Sequence, residues 1–212
     1  MKDALDDVAI AFKDSEAVFI CAGAGCSADS NLSTYTGQKA VSQWRRSSDN
    51  SCYFEINDTS YTQLASAEIY EENPALSWGF VTAQRKTYWN TTPHEGYSIL
   101  LQMLKKKDYF VCTSNVDGFF EKSGFDSERI CEVHGSLSFD QCSNLNAAKD
   151  CRAVWRVDSS AADIECDPKT GAVLEIPKCK VLFSFSGANF LKKLSLRSKG
   201  VWSNCSSKCL FL

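Results

Sequence analysis

Asn115, Asp117 and His134 are the residues whose types and placement invite chemistry: an amide and a carboxylate in the polar turn after one apolar run, and an imidazole at the end of another. Phe110, Val111, Cys112 and Thr113 read as a buried strand that breaks into the polar turn Ser114-Asn115-Val116-Asp117-Gly118. Residues 129–133 read as a second short strand with His134 and Gly135 at its exit. In open parallel α/β sheets ligands bind at the carboxyl ends of strands, because the loops there gather side chains and helix N-termini around a crevice. The two strand ends are therefore expected to deliver Asn115, Asp117 and His134 towards one cleft. A lone histidine at a strand end reads first as a satisfied structural residue, and Asn115 and Asp117 as turn formers. Their joint placement is what favours a site.

The elements that must position these residues alternate along the chain. Ala4, Leu5, Val8, Ala9 and Phe12 fall on one face at helical spacing, which predicts a first helix packed against a sheet. Residues 17–21 form a fully apolar strand that runs into Ala22-Gly23-Ala24-Gly25-Cys26-Ser27, with a helix to follow. A strand, a glycine turn and a helix are what a phosphate-binding loop needs, since glycine lets the backbone N–H groups approach a diphosphate. The third glycine of the dinucleotide fingerprint is absent, so two glycines after a strand also fit an ordinary tight turn. Residues 31–62 are polar and irregular and read as a long loop or lid. Residues 64–71 and 74–88 read as helices of an inserted module, the second with Asn73 as N-cap and Pro74 at its first position. Thr92-Pro93-His94-Glu95 reads as a capping box, ahead of an apolar face at Tyr97, Leu100, Leu101 and Leu104, with His94 a surface helix residue.

Composition sets the limits. At 212 residues the chain suffices for one substantial domain, or one domain plus a small module. Its 44% hydrophobic, 23% charged and 12% aromatic content predicts a packed core. The net charge of −3 offers no basic face for nucleic acid. After Glu175 there are seven Lys or Arg and no Asp or Glu, so residues 1–175 carry −10 and the tail +7. No apolar run reaches membrane-spanning length, and the acidic N-terminus has neither the apolar stretch nor the cleavage site of a signal peptide. An intracellular location is expected, where the eleven cysteines would be core residues, metal ligands or thiols rather than disulfides. The ending Cys209-Leu210-Phe211-Leu212 fits a prenylation box, with Cys209 the acceptor.

Three motifs together resemble the sirtuin family of NAD-dependent protein deacylases. Gly23-Ala24-Gly25-Cys26-Ser27 is similar to its GAGxS phosphate loop, Thr113-Ser114-Asn115-Val116-Asp117-Gly118 to its TQNxDG turn, and His134-Gly135-Ser136 to its HGS. The resemblance covers roughly residues 15–180. It implies a Rossmann-like parallel sheet with a small helical and zinc-type module, NAD as cofactor and an acyl-lysine protein or peptide as substrate. His134 would act as general base on the nicotinamide ribose, for which an imidazole with an ordinary pKa of about 6.5 is suited. Ser114, Asn115 and Asp117 would contact the ribose and carboxamide, while Gly23, Ala24, Gly25 and Ser27 hold the phosphates. Tyr35 would stand for the aromatic of the family's GIPDFR segment, whose aspartate and arginine are replaced by Thr34 and Thr36.

On this reading residues 1–137 form the NAD-binding part, with the helical module inserted at about 35–90. Residues 138–180 form a cysteine-bearing zinc-type module, and 181–212 a basic divergent tail. Cys142, Cys151 and Cys179 fall where three zinc ligands are expected; Cys166, or Cys205 or Cys209, would complete the tetrahedron. Reduced cysteines without metal are the alternative. The family's later strands and GTS-type loop have no counterpart, so the sheet is expected to be incomplete at its C-terminal side, and the tail finds no place in it. Three functions follow: a deacylase, a non-catalytic NAD-binding module, and an NAD glycohydrolase or ADP-ribosyltransferase using the same residues.

Overall fold

The computed structural model describes residues 2–32, 64–142, 154–179 and 209–211. They fall into two compact units, one formed by residues 1–30, 93–135 and 192–212, the other by 31–92 and 136–191.

The first unit is built on a parallel sheet. β1 (Ala17–Ala22) lies between β2 (Asp108–Thr113) and β6 (Cys209–Phe211), and β3 (Ile130–Glu132) flanks β2, giving the order β3-β2-β1-β6. Ala17 pairs with Asp108 and Ala22 with Thr113, so the two central strands end level with one another. This register matters because the loops that follow β1 and β2 then leave the sheet side by side. The tail, unplaced by its sequence pattern, pairs Cys209, Leu210 and Phe211 with Ala17, Val18 and Phe19. A three-residue strand bearing one basic flank is too short to show a period, which is why pattern reading passes over it.

Helices follow the expected alternation with shifted ends. α1 (Lys2–Asp14) forms as its spacing predicts, but Leu5 and Val8 on its apolar face are 66% and 50% exposed, so that face is not buried on the sheet. It is fastened at its C-terminal end, where the Lys107 ammonium donates to the carbonyls of Lys13 and Ser15 at 3.2 and 2.6 Å and sits 5.1 Å from the Phe12 ring. A cation there also suits the negative end of the helix dipole. After α2 (Ala24–Ala28), α5 (Glu95–Met103) and α6 (Phe119–Lys122) supply the aromatic core. Tyr97 meets Phe120 edge-on at 5.0 Å, and Phe120 meets Phe125 at 5.1 Å. Such edge contacts add to the area buried by the rings themselves.

The second unit contains α3 (Ala67–Glu72), α4 (Pro74–Asn90) and a two-stranded antiparallel pair, β4 (Phe139–Gln141) with β5 (Val154–Arg156). Asn73 caps α4 by accepting from Leu76 N–H at 3.1 Å, with Pro74 in the first turn, as its sequence predicts. α4 is buried on all sides from Ser77 to Arg85, which accounts for its lack of an apolar stripe. Arg85 is fully buried: it donates to Asp140 at 2.5 Å and to the Leu137 carbonyl at 2.9 Å, and its guanidinium lies 5.7 Å from the Trp78 ring. Gly79 permits a close backbone passage, for a Cβ there would stand 1.8 Å from the Gly171 carbonyl oxygen.

Candidate active site

The site grows from the level ends of β1 and β2. Beyond Ala22 the chain turns at Gly23 into α2, and beyond Thr113 it enters the Ser114–Gly118 turn, which Ser114 N–H ties back to the Ala22 carbonyl at 3.0 Å. Thr113 Oγ1 accepts from Asn115 N–H at 3.0 Å, and Asp117 Oδ1 accepts from Phe119 N–H at 2.9 Å. Gly118 then takes a left-handed φ of 71° that starts α6. These local bonds aim two polar side chains back over the glycine turn.

There they form one network. Asn115 Nδ2 donates to the Gly23 carbonyl and to Ser27 Oγ, both at 2.9 Å, and Ser27 Oγ donates to Asp117 Oδ2 at 2.5 Å. Ser27, Asn115 and Asp117 are all buried, and Asn115 Oδ1 is a buried acceptor with no donor among the described residues. Burial pushes the Asp117 carboxyl above its ordinary value, against the lowering effect of the Ser27 and Phe119 hydrogen bonds. Tyr97 lies behind the loop, its phenol raised by burial first, then by Cys26 and the Asp117 charge.

His94 has a larger part than its surface reading predicted. α5 starts at Glu95, with His94 itself as N-cap, accepting from Gly96 N–H through Nδ1 at 3.0 Å. Because Nδ1 accepts, the proton resides on Nε2, which lies 3.0 Å from the Cys26 carbonyl and donates to it. His94 N–H donates to Ser30 Oγ at 2.9 Å. The ring thus ties α5 to the turn that carries Ser27. Gly96 makes this possible: a Cβ there would stand 2.5 Å from His94 Cε1. The Thr92-Pro93-His94-Glu95 pattern predicts Thr92 as the cap; the glycine two residues after His94 is the sequence signal for the cap two residues later.

The remaining candidates separate. His134 is exposed in a turn closed by Gly135 N–H on the Glu132 carbonyl at 3.0 Å, with Gly135 at φ 87°, and it has no hydrogen bond among the described residues. Ala24 opens α2 and Ser114 lies in the turn after β2, both half-buried, while Gly25 is exposed. Tyr35 and Cys151 lie outside the described residues. Cys142 and Cys179, 2% and 1% exposed, share a small cluster with Trp155. Cys166 is disulfide-bonded. Among the described residues no three metal-ligating side chains come together, so they do not by themselves make a tetrahedral zinc site.

A parallel sheet whose adjacent strand ends carry a glycine turn and a buried polar network defines the Rossmann-like α/β class. The model of the Sir2 family matches residues 23–194, and the chain belongs to that family. It is 28% identical over 141 residues to NAD-dependent protein deacylase 2 of Pseudomonas aeruginosa, covering 66% of this chain and 52% of the relative. It is 31% identical over 119 residues to an NAD-dependent protein deacylase of Bacteroides thetaiotaomicron, covering 56% of this chain and 44% of the relative. The chain thus spans about half the length of the curated relatives it matches. Among solved structures, a Sir2 homologue in complex with NAD superposes with a TM-score of 0.63 at 19% identity, covering 86% of this chain and 59% of that one. Sir2Tm bound to a propionylated peptide superposes at 0.59 with 15% identity, covering 88% and 63%.

Proposed function

We propose that this chain is an NAD-dependent protein-lysine deacylase of sirtuin type, transferring an acyl group to ADP-ribose and releasing nicotinamide. The observation that carries the reading is the Ser27–Asn115–Asp117 network on two level strand ends, with Asn115 Oδ1 buried and lacking a donor among the described residues. Such an acceptor suits a ribose hydroxyl or a carboxamide N–H, and a buried group of this kind is costly until satisfied. The glycine turn also fits a dinucleotide: a Cβ at Gly25 would meet nothing within 4 Å, so an anion can approach the backbone. Bound NAD would supply the C–N bond to nicotinamide that the reaction breaks.

This chain's residues would then divide the work. Gly23, Ala24, Gly25 and Ser27 hold the diphosphate, Ser114, Asn115 and Asp117 orient the ribose and carboxamide, and His134, exposed at its turn, takes a ribose proton. His94 positions the glycine turn without touching the cofactor. An acyl-lysine protein or peptide is the substrate, and zinc on Cys142 and Cys179 with further cysteines is a structural addition to the second unit. No described helix is long and apolar enough to cross a membrane, and the reading needs none. A second reading, an NAD-binding module without turnover, is favoured by Thr34 and Thr36, which cannot supply a carboxylate and a guanidinium.

Nicotinamide release from NAD, with and without an acetyl-lysine peptide, separates them. The deacylase releases it only with peptide, and His134→Ala lowers the rate by about 100-fold or more. Release without peptide indicates a glycohydrolase. NAD binding without release leaves the binding module.

A further inference from the structure

Three cysteines outside the polar network stand side by side across the sheet. Cys21 on β1 pairs in register with Cys112 on β2, and Cys112 with Cys131 on β3. Residues paired in register on parallel strands point to the same face, so the three side chains form one row. That face is open at the row: Cys21 is exposed, Cys112 and Cys131 are half-buried, and none of the three is in a disulfide. Phe19 and Phe110, two residues earlier on the same strands, stack at 6.1 Å and 14° and give the row an apolar flank. Burial raises the Cys112 thiol above its ordinary value, and the Cys131 and Cys21 charges raise it further, with a hydrogen bond to Cys131.

The strand spacing decides what could join two of them. Neighbouring strands lie about 4.8 Å apart, and in register their Cβ atoms stand at about that separation. A disulfide wants Cβ atoms about 3.8 Å apart around an S–S bond of about 2.05 Å, so closing one here requires the strands to move. Two thiolates on opposite sides of one soft cation stand much farther apart than the two sulfurs of a disulfide, so a metal-bridged pair fits the strand spacing without such movement. Among the described residues no third ligand joins them, which suits an ion content with two. We propose that Cys112, with either Cys21 or Cys131, binds a soft monovalent metal ion of the Cu(I) class as a two-coordinate dithiolate bridge between strands. Both thiol protons leave to solvent, and neither sulfur nor metal changes oxidation state. Cys21 lies two residues before Gly23, Cys112 three before Asn115 and Cys131 three before His134, so the bridge ties the strands just ahead of the loops of the candidate site.

The test is anaerobic titration of the full chain with Cu(I) held by a chromophoric chelator. Cys112→Ser is expected to lose one equivalent relative to the unsubstituted chain. Cys21→Ser and Cys131→Ser each keep it, because Cys112 retains a neighbour, and the Cys21→Ser/Cys131→Ser double variant loses it. Zinc binding is expected to be unchanged in all of them. Circular dichroism checks each fold, and Cys112→Val replaces the serine variant should that one unfold. Retention of the equivalent by the Cys112 variants or by the double variant would overturn the proposal, as would parallel loss of zinc.

Discussion

The two units of this chain use buried polar groups for opposite ends. In the first, burial holds the Asp117 carboxyl above the ordinary range, and Asn115 Oδ1 has no donor among the described residues. In the second, Arg85 is buried with its charge paired to Asp140 and set against a backbone carbonyl and two indole rings, Trp78 and Trp89, although its Nη1 has no hydrogen-bond partner among the described residues. A buried polar group without a charge partner lowers stability and is open to a ligand; a buried ion pair is costly to break by removing one partner. The first unit therefore resembles a site kept ready, and the second a packed support. Substitutions should separate them, the second unit losing stability and the first losing binding.

The largest effect is expected at Arg85. Arg85→Ala leaves Asp140 buried and unpaired and should cost about 3–5 kcal/mol. Arg85→Met/Asp140→Leu, which removes both charges, should recover much of that loss. Urea denaturation checks both, and a loss below about 1 kcal/mol for the alanine variant would break the comparison. His94→Ala comes next. It removes an N-cap and the tie to the Cys26 carbonyl, so unfolding should shift by about 1 kcal/mol while ADP-ribose affinity falls more than that stability loss implies. His94→Asn, which can still cap α5 but not reach Cys26, should restore stability and leave affinity low. Calorimetric titration beside thermal melts separates the two, and equal recovery of both would mean His94 acts only as a cap.

The smallest effect has the opposite sign. Because folding raises the Asp117 pKa, the folded chain keeps that proton to higher pH than the unfolded chain does. The stability this group contributes is full below the unfolded carboxyl value and is lost as pH rises through the folded one. Asp117→Asn should therefore gain stability at about pH 7 relative to the native chain and gain little at about pH 3. It should also lose ADP-ribose binding. An equal gain at both values would place the effect in packing rather than in charge.

Legibility differed by element. The β1 and β2 strands, the glycine turn, the Asn73 cap of α4 and the Ser114–Gly118 turn were readable because each is written in consecutive residues. α5 starts two residues later than its sequence predicts, because Thr92 and Pro93 make a plausible box while the cap is the His94 ring folded over Gly96. The expected burial of α1 did not follow from its spacing, since a period reveals a face but not what lies against it. Arg85 carried no signal at all: one arginine in a helix reads as solvated until Asp140, distant in sequence, is brought to it.

By itself, then, the order of residues determined the parallel α/β class, the Sir2 motifs and the polar side chains at the strand ends, all of which depend on neighbours a few positions apart. Tertiary structure alone decided that Ser27, Asn115 and Asp117 share hydrogen bonds, that His94 serves the glycine turn, and that Cys21, Cys112 and Cys131 form a row. Each of those is a contact between distant residues, and such contacts are set by strand register and helix packing, which no local pattern specifies.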